Sequence, residues 1–256
     1  MMLIINCEQG SEEWHAARAG AITASMFSVA RKRVGGLDER QQRYVEFVKA
    51  GMAEKAAAEQ AGFKAVPRAE GIAKALAGEQ VGDWSEEAKN YAFRLAVERI
   101  SGAPLDEGFE TWAMKRGREL EPEARMEHEQ QTGLFVERAG FVLTDDRLFG
   151  ASADGLIGED GGSEYKCFVA PDNLRAFHID NDASTVMDQV QGCMWITGRA
   201  WWHLGLYCPA LAAVGRQLWL QEFKRDDEYI DAMVDDLMQF AALVERYETT
   251  LRRKAA

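Results

Sequence analysis

Three residues near the middle of the sequence are spaced so that they can form an acidic centre with a lysine beside it. Residues 149–154 are typical of a strand, a turn rich in glycine follows, and residues 163–169 are typical of a second strand. Glu164 and Lys166 project from one face of the second strand, because side chains two residues apart in a strand share a face. A hairpin-like return would bring Asp154 beside them.

These three side chains suit a divalent metal ion. Two carboxylates are hard oxygen ligands of the kind that Mg²⁺ and Mn²⁺ prefer. A lysine at the same place can orient or deprotonate a water molecule, or neutralise charge that develops during hydrolysis. The same spacing also arises by chance in many proteins. Here Tyr165 and Cys167 indicate that the opposite face of the strand is buried, which favours a metal site.

A second group of residues, near the amino terminus, fits an anion. Residues 11–20 are typical of a helix, and a second helix is expected to follow with Thr23 as its candidate N-cap. Arg18, the hydroxyl of Ser25 and a helix amino terminus would together make a pocket for a phosphate group. The alternative is that Arg18 is a solvated helix residue and Ser25 belongs to the capping turn.

One helix carries several glutamates, of which one can face the acidic centre. Residues 109–131 are predicted to be helical, and Pro122 inside them is expected to restart or kink the helix. Most of the glutamates must be solvated, and the apolar residues Leu120 and Ala124 do not decide which one is buried. The glutamates in question are Glu119, Glu121, Glu123 and Glu127.

Composition is that of an ordinary soluble globular protein. The chain has 256 residues, of which 47% are hydrophobic and 28% charged. No apolar run has the length of a membrane span, and the amino terminus lacks the features of a signal peptide, so a cytoplasmic protein is expected. The net charge of −12 argues against non-specific coating of DNA, but it allows an enzyme whose basic residues line one channel.

The cysteines predict neither disulfides nor a metal cluster. The chain has four, Cys7, Cys167, Cys193 and Cys208, and no two of them form a C-x2-C pair. Reduced thiols are therefore expected, rather than disulfides or a zinc or iron–sulfur site.

The order of the predicted elements is that of an α/β protein with a central sheet covered by helices. Residues 1–256 are treated as a single domain that contains an insertion at residues 37–82. The remaining predicted strands cover residues 3–7, 134–143, 201–208 and 217–223, and the remaining helices cover residues 84–100, 184–197 and 226–253.

The insertion is alanine-rich and helical. Within it, residues 51–63 have the rhythm of a helix-turn-helix, a unit that many DNA-binding proteins use. Its basic residues are few and lie among acidic ones. A helical spacer or a protein-docking insert is therefore the alternative to DNA contact.

Several blocks of the sequence resemble the YqaJ-type viral recombinase (phage lambda exonuclease) family, in the family's order and at similar spacing. The segment from Gly117 to Arg125 resembles the family's second block and picks out Glu121. The other blocks are residues 9–25 (QGSEEWHAARAGAITAS), 152–156 (SADGL), 164–167 (EYKC), 189–195 (QVQGCMW) and 225–229 (RDDEY).

This resemblance implies a nuclease of the PD-(D/E)xK superfamily with a restriction-endonuclease-like core, a central mixed β-sheet flanked by helices, and here a small all-α insertion. It implies a 5′→3′ exonuclease on linear double-stranded DNA, which leaves 3′ tails for recombination by strand annealing. The implied cofactor is Mg²⁺, with Mn²⁺ as an alternative. By position, the metal ligands would be Asp154, Glu164, Glu121 and the carbonyl of Tyr165; Lys166 and Gln189 would complete the catalytic set; Arg18 and Ser25 would bind the 5′-phosphate.

The resemblance also implies partners and a setting. The implied partners are DNA ends with a 5′-phosphate, a single-strand annealing protein, and further copies of the chain in a homo-oligomeric ring such as a trimer. No membrane is implied. The implied setting is a bacterial cytoplasm in which a phage or prophage gene is expressed. The sequence departs from the family in two places: Ala153 stands where the superfamily has proline, and residues 37–82 have no counterpart.

Two other functions stay open on the sequence. The first is a different PD-(D/E)xK nuclease, an endonuclease that cuts internal sites. The second is an inactive adaptor that binds DNA through a helix-turn-helix. The intact set of Asp154, Glu164 and Lys166 argues against the adaptor.

Overall fold

The computed structural model describes residues 2–79, 81–105, 111–167 and 170–253. In chain order the strands are β1 Leu3–Ile5, β2 Ile22–Thr23, β3 Arg33–Val34, β4 Asp83–Trp84, β5 Phe141–Leu143, β6 Phe149–Ser152, β7 Gly155–Ile157, β8 Gly161–Lys166, β9 Trp201–Tyr207 and β10 Leu218–Lys224. The α-helices are α1 Glu12–Arg18, α2 Phe27–Ala30, α3 Glu39–Lys49, α4 Glu54–Gln60, α5 Glu70–Leu76, α6 Glu86–Ser101, α7 Trp112–Thr132, α8 Pro171–His178, α9 Met187–Thr197 and α10 Asp227–Arg252.

The chain divides into two compact units, the larger made of residues 1–31 with 91–256 and the smaller of residues 32–90. In the larger unit, two mixed four-stranded ladders have the orders β1-β5-β6-β2 and β10-β9-β8-β7. Each contains one parallel pair, β2 with β6 and β8 with β9. Mixed sheets flanked by helices confirm the predicted α/β class.

The predicted hairpin between residues 149–154 and 163–169 is wrong. β6 belongs to the first ladder, whereas β8 belongs to the second and pairs there with β7. The short strand β7 therefore forms the hairpin with β8, and Asp154 lies in the link between β6 and β7. Alternation of polar and apolar residues predicts a strand but not its neighbour, which is why the pairing was misassigned. The predicted end of the second strand, at residues 168–169, lies outside the described residues.

Two further predicted elements differ from the structure. Residues 22–23 form a strand instead of starting a helix, and Thr23 makes no side-chain capping bond. A 3₁₀ turn over Ala24–Met26 and the four residues of α2 follow. The strand predicted at residues 134–143 is limited to β5 and one bridge between Glu137 and Leu156.

Helix α7 continues without interruption across Pro122, so of the two predicted outcomes, a restart or a kink, the restart is wrong. Pro122 is exposed, and its ring costs the helix one backbone hydrogen bond, since proline has no N–H. The predicted start of this helix at residues 109–110 lies outside the described residues.

The core of the larger unit is built around α9. Its residues from Val190 to Met194 are buried in succession. A Cβ on Gly192 would lie 2.6 Å from ring carbons of Phe27, so only glycine allows this approach. Such close packing fixes the position of α9, and with it the side chain of Gln189 on its first turn.

The smaller unit has an apolar cluster of its own, formed by α3, α4 and α5 and including Tyr44, Ala57 and Ile72. The helix-turn-helix at residues 51–63 stays a prediction, because that stretch contains α4 alone but only four residues separate α4 from α3. Nine residues then separate α4 from α5, whereas a helix-turn-helix has a turn of about 3–4 residues. In the part of the chain that the structure describes, no helix is both long and apolar enough to span a membrane.

Candidate active site

The predicted acidic centre forms at the start of β7. Asp154 is buried in the link between β6 and β7. Its Oδ2 accepts a hydrogen bond from the backbone N–H of Tyr165 at 2.7 Å. Because Tyr165 lies between Glu164 and Lys166 in β8, this bond holds Asp154 beside the strand that carries the other two predicted residues.

Three side chains next to Asp154 form a closed triangle of hydrogen bonds. Nζ of Lys166 donates to Oε1 of Glu164 at 2.9 Å and to Oε1 of Gln189 at 2.7 Å. Nε2 of Gln189 donates to the same oxygen of Glu164 at 2.6 Å. The structure thus brings together the two β8 side chains, which share a face as predicted, and the glutamine on α9.

Glu121 is the glutamate of α7 that faces this centre. Its Oε1 pairs with Nη2 of Arg125, and the same nitrogen donates to the backbone carbonyl of Asp154 at 3.1 Å. Glu119 is exposed, and Glu123 accepts a bond from a tyrosine hydroxyl at 3.1 Å. The position that the family resemblance picked out is therefore the one that lies beside Asp154.

The acidic centre holds more negative charge than its surroundings neutralise. Burial, followed by the charges of Glu164 and Glu121, raises the pKa of Asp154 well above its ordinary value. Burial and the charge of Glu164 also raise the pKa of Glu121, although Arg125 opposes this shift. Burial alone would lower the pKa of Lys166, but the carboxylates of Glu164 and Asp154 outweigh it and the pKa is raised. A cation would be favoured at this place.

Arg18 and Ser25 lie in a second, polar group on the same unit. The guanidinium of Arg18 donates from Nη1 to Ser152 Oγ at 3.3 Å and from Nη2 to Thr23 Oγ1 at 3.4 Å. It lies over the ring of Trp14, 4.0 Å from the centroid, and the Trp14 indole N–H donates to Ser152 Oγ at 2.8 Å. Thr23 Oγ1 is 3.4 Å from the hydroxyl of Ser25, which is exposed. We call these five residues the arginine pocket.

The arginine pocket and the acidic centre share a strand end. Ser152 is the last residue of β6, and Asp154 comes two residues later. Burial lowers the pKa of Arg18 to about 10, and the charge of Glu164 acts against this lowering. Arg18 therefore keeps its positive charge at neutral pH, close to a centre of negative charge.

The sequence matches the YqaJ-like viral recombinase domain over residues 13–200. The chain is a member of the YqaJ-like viral recombinase family. No functionally curated protein matches it.

Solved structures agree with this family. A crystal structure of LHK-Exo in complex with dAMP is similar, with a TM-score of 0.69 at 25% identity over 95% of this chain and 97% of that chain. Another structure of LHK-Exo, an alkaline exonuclease from Laribacter hongkongensis, gives a TM-score of 0.67 at the same identity and coverage. A phage-related exonuclease from Haemophilus somnus 129PT, 15% identical with a TM-score of 0.51, covers 88% of this chain and 97% of its own and shows the shared fold alone. These likenesses confirm the predicted restriction-endonuclease-like core, and membership of the family supports a nuclease.

The residues of the acidic centre fit the divalent metal ion that nucleases of this type use. Oε2 of Glu164 is buried and makes no hydrogen bond with any residue that the structure describes. An ionised oxygen in that position is costly unless a cation satisfies it. Within the described ranges, no three His, Cys, Asp or Glu side chains are placed to bind one ion together. The carboxylates of Asp154 and Glu164 would then need oxygen ligands of another kind, and the family resemblance implies the carbonyl of Tyr165 for that role.

Sequence reasoning missed three members of the arginine pocket. The sequence places Ser152 in a predicted strand and in a family block, Thr23 at a predicted helix cap, and Trp14 in another family block, and it assigns none of the three a role in binding phosphate. The spacing of Trp14 and Arg18, four residues apart on one helix, was a usable signal, because side chains at that spacing are neighbours on a helix surface. Ser152 carried no such signal, since its partners are distant in sequence.

Proposed function

We propose that this chain is a metal-dependent exonuclease that degrades one strand of linear double-stranded DNA from 5′-phosphorylated ends. The product would be a duplex with 3′ single-stranded tails, the substrate for recombination by strand annealing. One observation carries the proposal. Ser152, which is bonded to Arg18, and Asp154, which belongs to the acidic centre, are separated by a single residue, so a phosphate in the arginine pocket would place the adjoining nucleotide at the acidic centre.

The arginine pocket would select ends. A terminal phosphate carries about −1.5 to −2 charges near neutral pH, whereas an internal phosphodiester carries one. A buried guanidinium and nearby hydroxyls, from Arg18, Ser25 and Thr23, would bind the more highly charged group more strongly. Attack at a fixed distance from a bound end is what distinguishes an exonuclease from an endonuclease.

At the acidic centre, Asp154, Glu164 and the carbonyl of Tyr165 would hold Mg²⁺ or Mn²⁺. The family resemblance adds Glu121, whose carboxylate pairs with Arg125 here and would have to turn away from it to reach the ion. A bound ion of this kind would supply charge neutralisation for the attacked phosphate and activate water. Lys166 already donates to both Glu164 and Gln189. From this position it would hold the attacking water in line or stabilise a phosphoryl oxygen, while Gln189 keeps the lysine side chain in place.

The family resemblance extends the proposal to the assembly. A homo-oligomeric ring, for which we propose a trimer, would enclose the duplex and keep the enzyme on it despite a net charge of −12. A single-strand annealing protein would receive the 3′ tails.

The test uses a linear duplex with 5′-phosphates, the same duplex with 5′-hydroxyls, and a closed circle, each with Mg²⁺. We expect the native protein to digest one strand of the phosphorylated duplex faster than that of the hydroxyl duplex and to leave the circle intact. Lys166→Ala should abolish digestion, while Lys115→Ala, at an exposed position of α7, should not change it.

Cutting of the circle would instead show an endonuclease and would overturn the role given to Arg18. Binding of DNA without cleavage of any of the three substrates would favour the inactive adaptor.

A further inference from the structure

Helix α6 holds the loop between the two halves of the arginine pocket. The hydroxyl of Tyr91 accepts a hydrogen bond from the backbone N–H of Thr23 at 3.2 Å. About two turns further along the helix, Oε2 of Glu98 accepts a hydrogen bond from the backbone N–H of Gly20 at 2.9 Å. The next residue, Arg99, donates from Nε to the carbonyl of Gly20 at 2.9 Å. The loop from Gly20 to Thr23 is thus fixed at both ends by one face of α6.

Arg94 lies on that same face, between the two contacts. Residues 91, 94 and 98 are spaced by three and four, so their side chains form one row on the helix surface. Nε of Arg94 donates to Oε1 of Glu98 at 2.8 Å. Among the described residues, its two terminal nitrogens make no further hydrogen bond, and 47% of the side chain is exposed.

Glu98 explains why Arg94 is held where it is. Its side chain is only 3% exposed, yet it carries a carboxylate. The carboxylate receives the N–H groups of Gly20 and Leu105 as well as Nε of Arg94. A buried carboxylate requires partners of this kind, and Arg94 is the charged one that bonds it. The guanidinium is therefore positioned by a buried group while its outer edge stays accessible.

The charges of Arg94 and Arg18 act on each other. Burial is the main reason for the lowered pKa of Arg18, and the positive charge of Arg94 lowers it further. Both guanidinium groups are held at the loop from Gly20 to Thr23, Arg94 through Glu98 and Arg18 through its bond to Thr23, and two like charges held at one loop favour an anion with more than one charge.

We propose that Arg94 is a second phosphate-binding arginine of the arginine pocket, and that it contacts the terminal 5′-phosphate together with Arg18. This rests on the proposed function of the pocket and adds a specificity-determining residue to it. A terminal monoester, with its second negative charge, would engage both guanidiniums, whereas a 5′-hydroxyl end would engage neither. Arg94 would thus increase the preference for phosphorylated ends without taking part in bond cleavage.

The test compares Arg94→Gln, Arg94→Lys and, as a matched control, Arg246→Gln at an exposed position of α10. Binding of a short fluorescent duplex with a 5′-phosphate or a 5′-hydroxyl is measured by anisotropy in EDTA, so that cleavage does not interfere. Because a charge-assisted hydrogen bond is lost, Arg94→Gln should weaken binding of the phosphorylated duplex by about tenfold or more and leave the hydroxyl duplex almost unchanged. Arg94→Lys should retain part of the preference, and the control all of it.

The inference is overturned if Arg94→Gln weakens both duplexes equally, or neither, while Arg18→Gln removes the preference. That result would leave the pocket with Arg18 as its sole arginine. If the native protein itself does not distinguish the two ends, the proposed phosphate pocket fails, and the role of Arg94 fails with it. Thermal unfolding of each variant checks that the fold remains stable when Glu98 loses its bond to Arg94. Arg94→Lys keeps a positively charged donor for the carboxylate of Glu98.

Discussion

Replacing Asp154 by asparagine should stabilise the protein when no divalent metal ion is present, although it should abolish cleavage. An amide oxygen can still accept the hydrogen bond from the Tyr165 N–H, which is 2.7 Å long in the native protein. The change removes a buried negative charge that lies close to Glu164 and Glu121. Burial and these two charges raise the pKa of Asp154, so its ionised form opposes folding.

The pH dependence follows from the direction of this shift. Single stabilising substitutions commonly add about 0.5–2 kcal/mol, and Asp154→Asn should raise the free energy of unfolding by an amount of this order at neutral pH. The unfolded chain releases this proton near about pH 4, and the folded protein releases it only at the raised pKa. Between those pH values the folded state binds more protons, so native stability falls as the pH rises. The difference between variant and native protein should be absent below about pH 4 and grow above it.

Urea unfolding followed by tryptophan fluorescence in EDTA, at a series of pH values, measures this difference. Asp231→Asn, at an exposed position of α10, is the matched control and should show no gain. Added Mg²⁺ should then stabilise the native protein more than Asp154→Asn, because the proposed site would bind the ion through the carboxylate that the variant lacks. A loss of stability at neutral pH, or a gain that is already complete at pH 4, would refute the electrostatic reasoning.

Three further changes test other parts of the structure. Trp14→Phe keeps the ring over Arg18 but removes the hydrogen bond to Ser152, so KM for 5′-phosphorylated duplex should rise by about threefold to tenfold in initial-rate assays. Gly20→Ala should lower stability by about 1–3 kcal/mol in urea unfolding, because Gly20 has φ 74° and a Cβ there would lie 2.7 Å from Cγ of Arg99. Since β3 and β4 pair with each other, residues 35–82 can be replaced by an Asn-Gly turn. The shortened protein should still digest linear duplex. If it loses affinity for DNA but keeps its cleavage activity, residues 35–82 contact DNA.

The sequence predicted those parts of the site that depend on local spacing. Glu164 and Lys166 share a strand face because of the two-residue repeat, and the structure bonds them to each other. It could not decide among the glutamates of α7, since helical spacing places several near the same face. Only the family resemblance favoured Glu121, and its position depends on a contact between Arg125 and the backbone of Asp154, 29 residues further along the chain.

Long-range pairing accounts for what the sequence did not predict. Threonine is a residue type that often caps helices, yet Thr23 and Ile22 pair in parallel with β6 and form a strand. That pairing brings Thr23 close to Ser152, and so builds the arginine pocket. Glu98 has the sequence context of a solvated residue on an amphipathic helix. Its burial depends on the loop at Gly20, which is 78 residues away and carried no periodic signal.

The two parts of the site are both electrostatically unfavourable in the protein alone, and in opposite senses. The raised pKa of Asp154 shows that its negative charge is disfavoured, and the lowered pKa of Arg18 shows that its positive charge is disfavoured. They do not neutralise each other, because Glu164 has only a small effect on Arg18 and the hydroxyl of Ser152, not a carboxylate, accepts its bond. In the proposed function, a DNA end with a metal ion would supply both missing charges, the phosphate to Arg18 and the cation to Asp154. Binding energy in the arginine pocket would therefore be gained only when the scissile bond lies at the acidic centre.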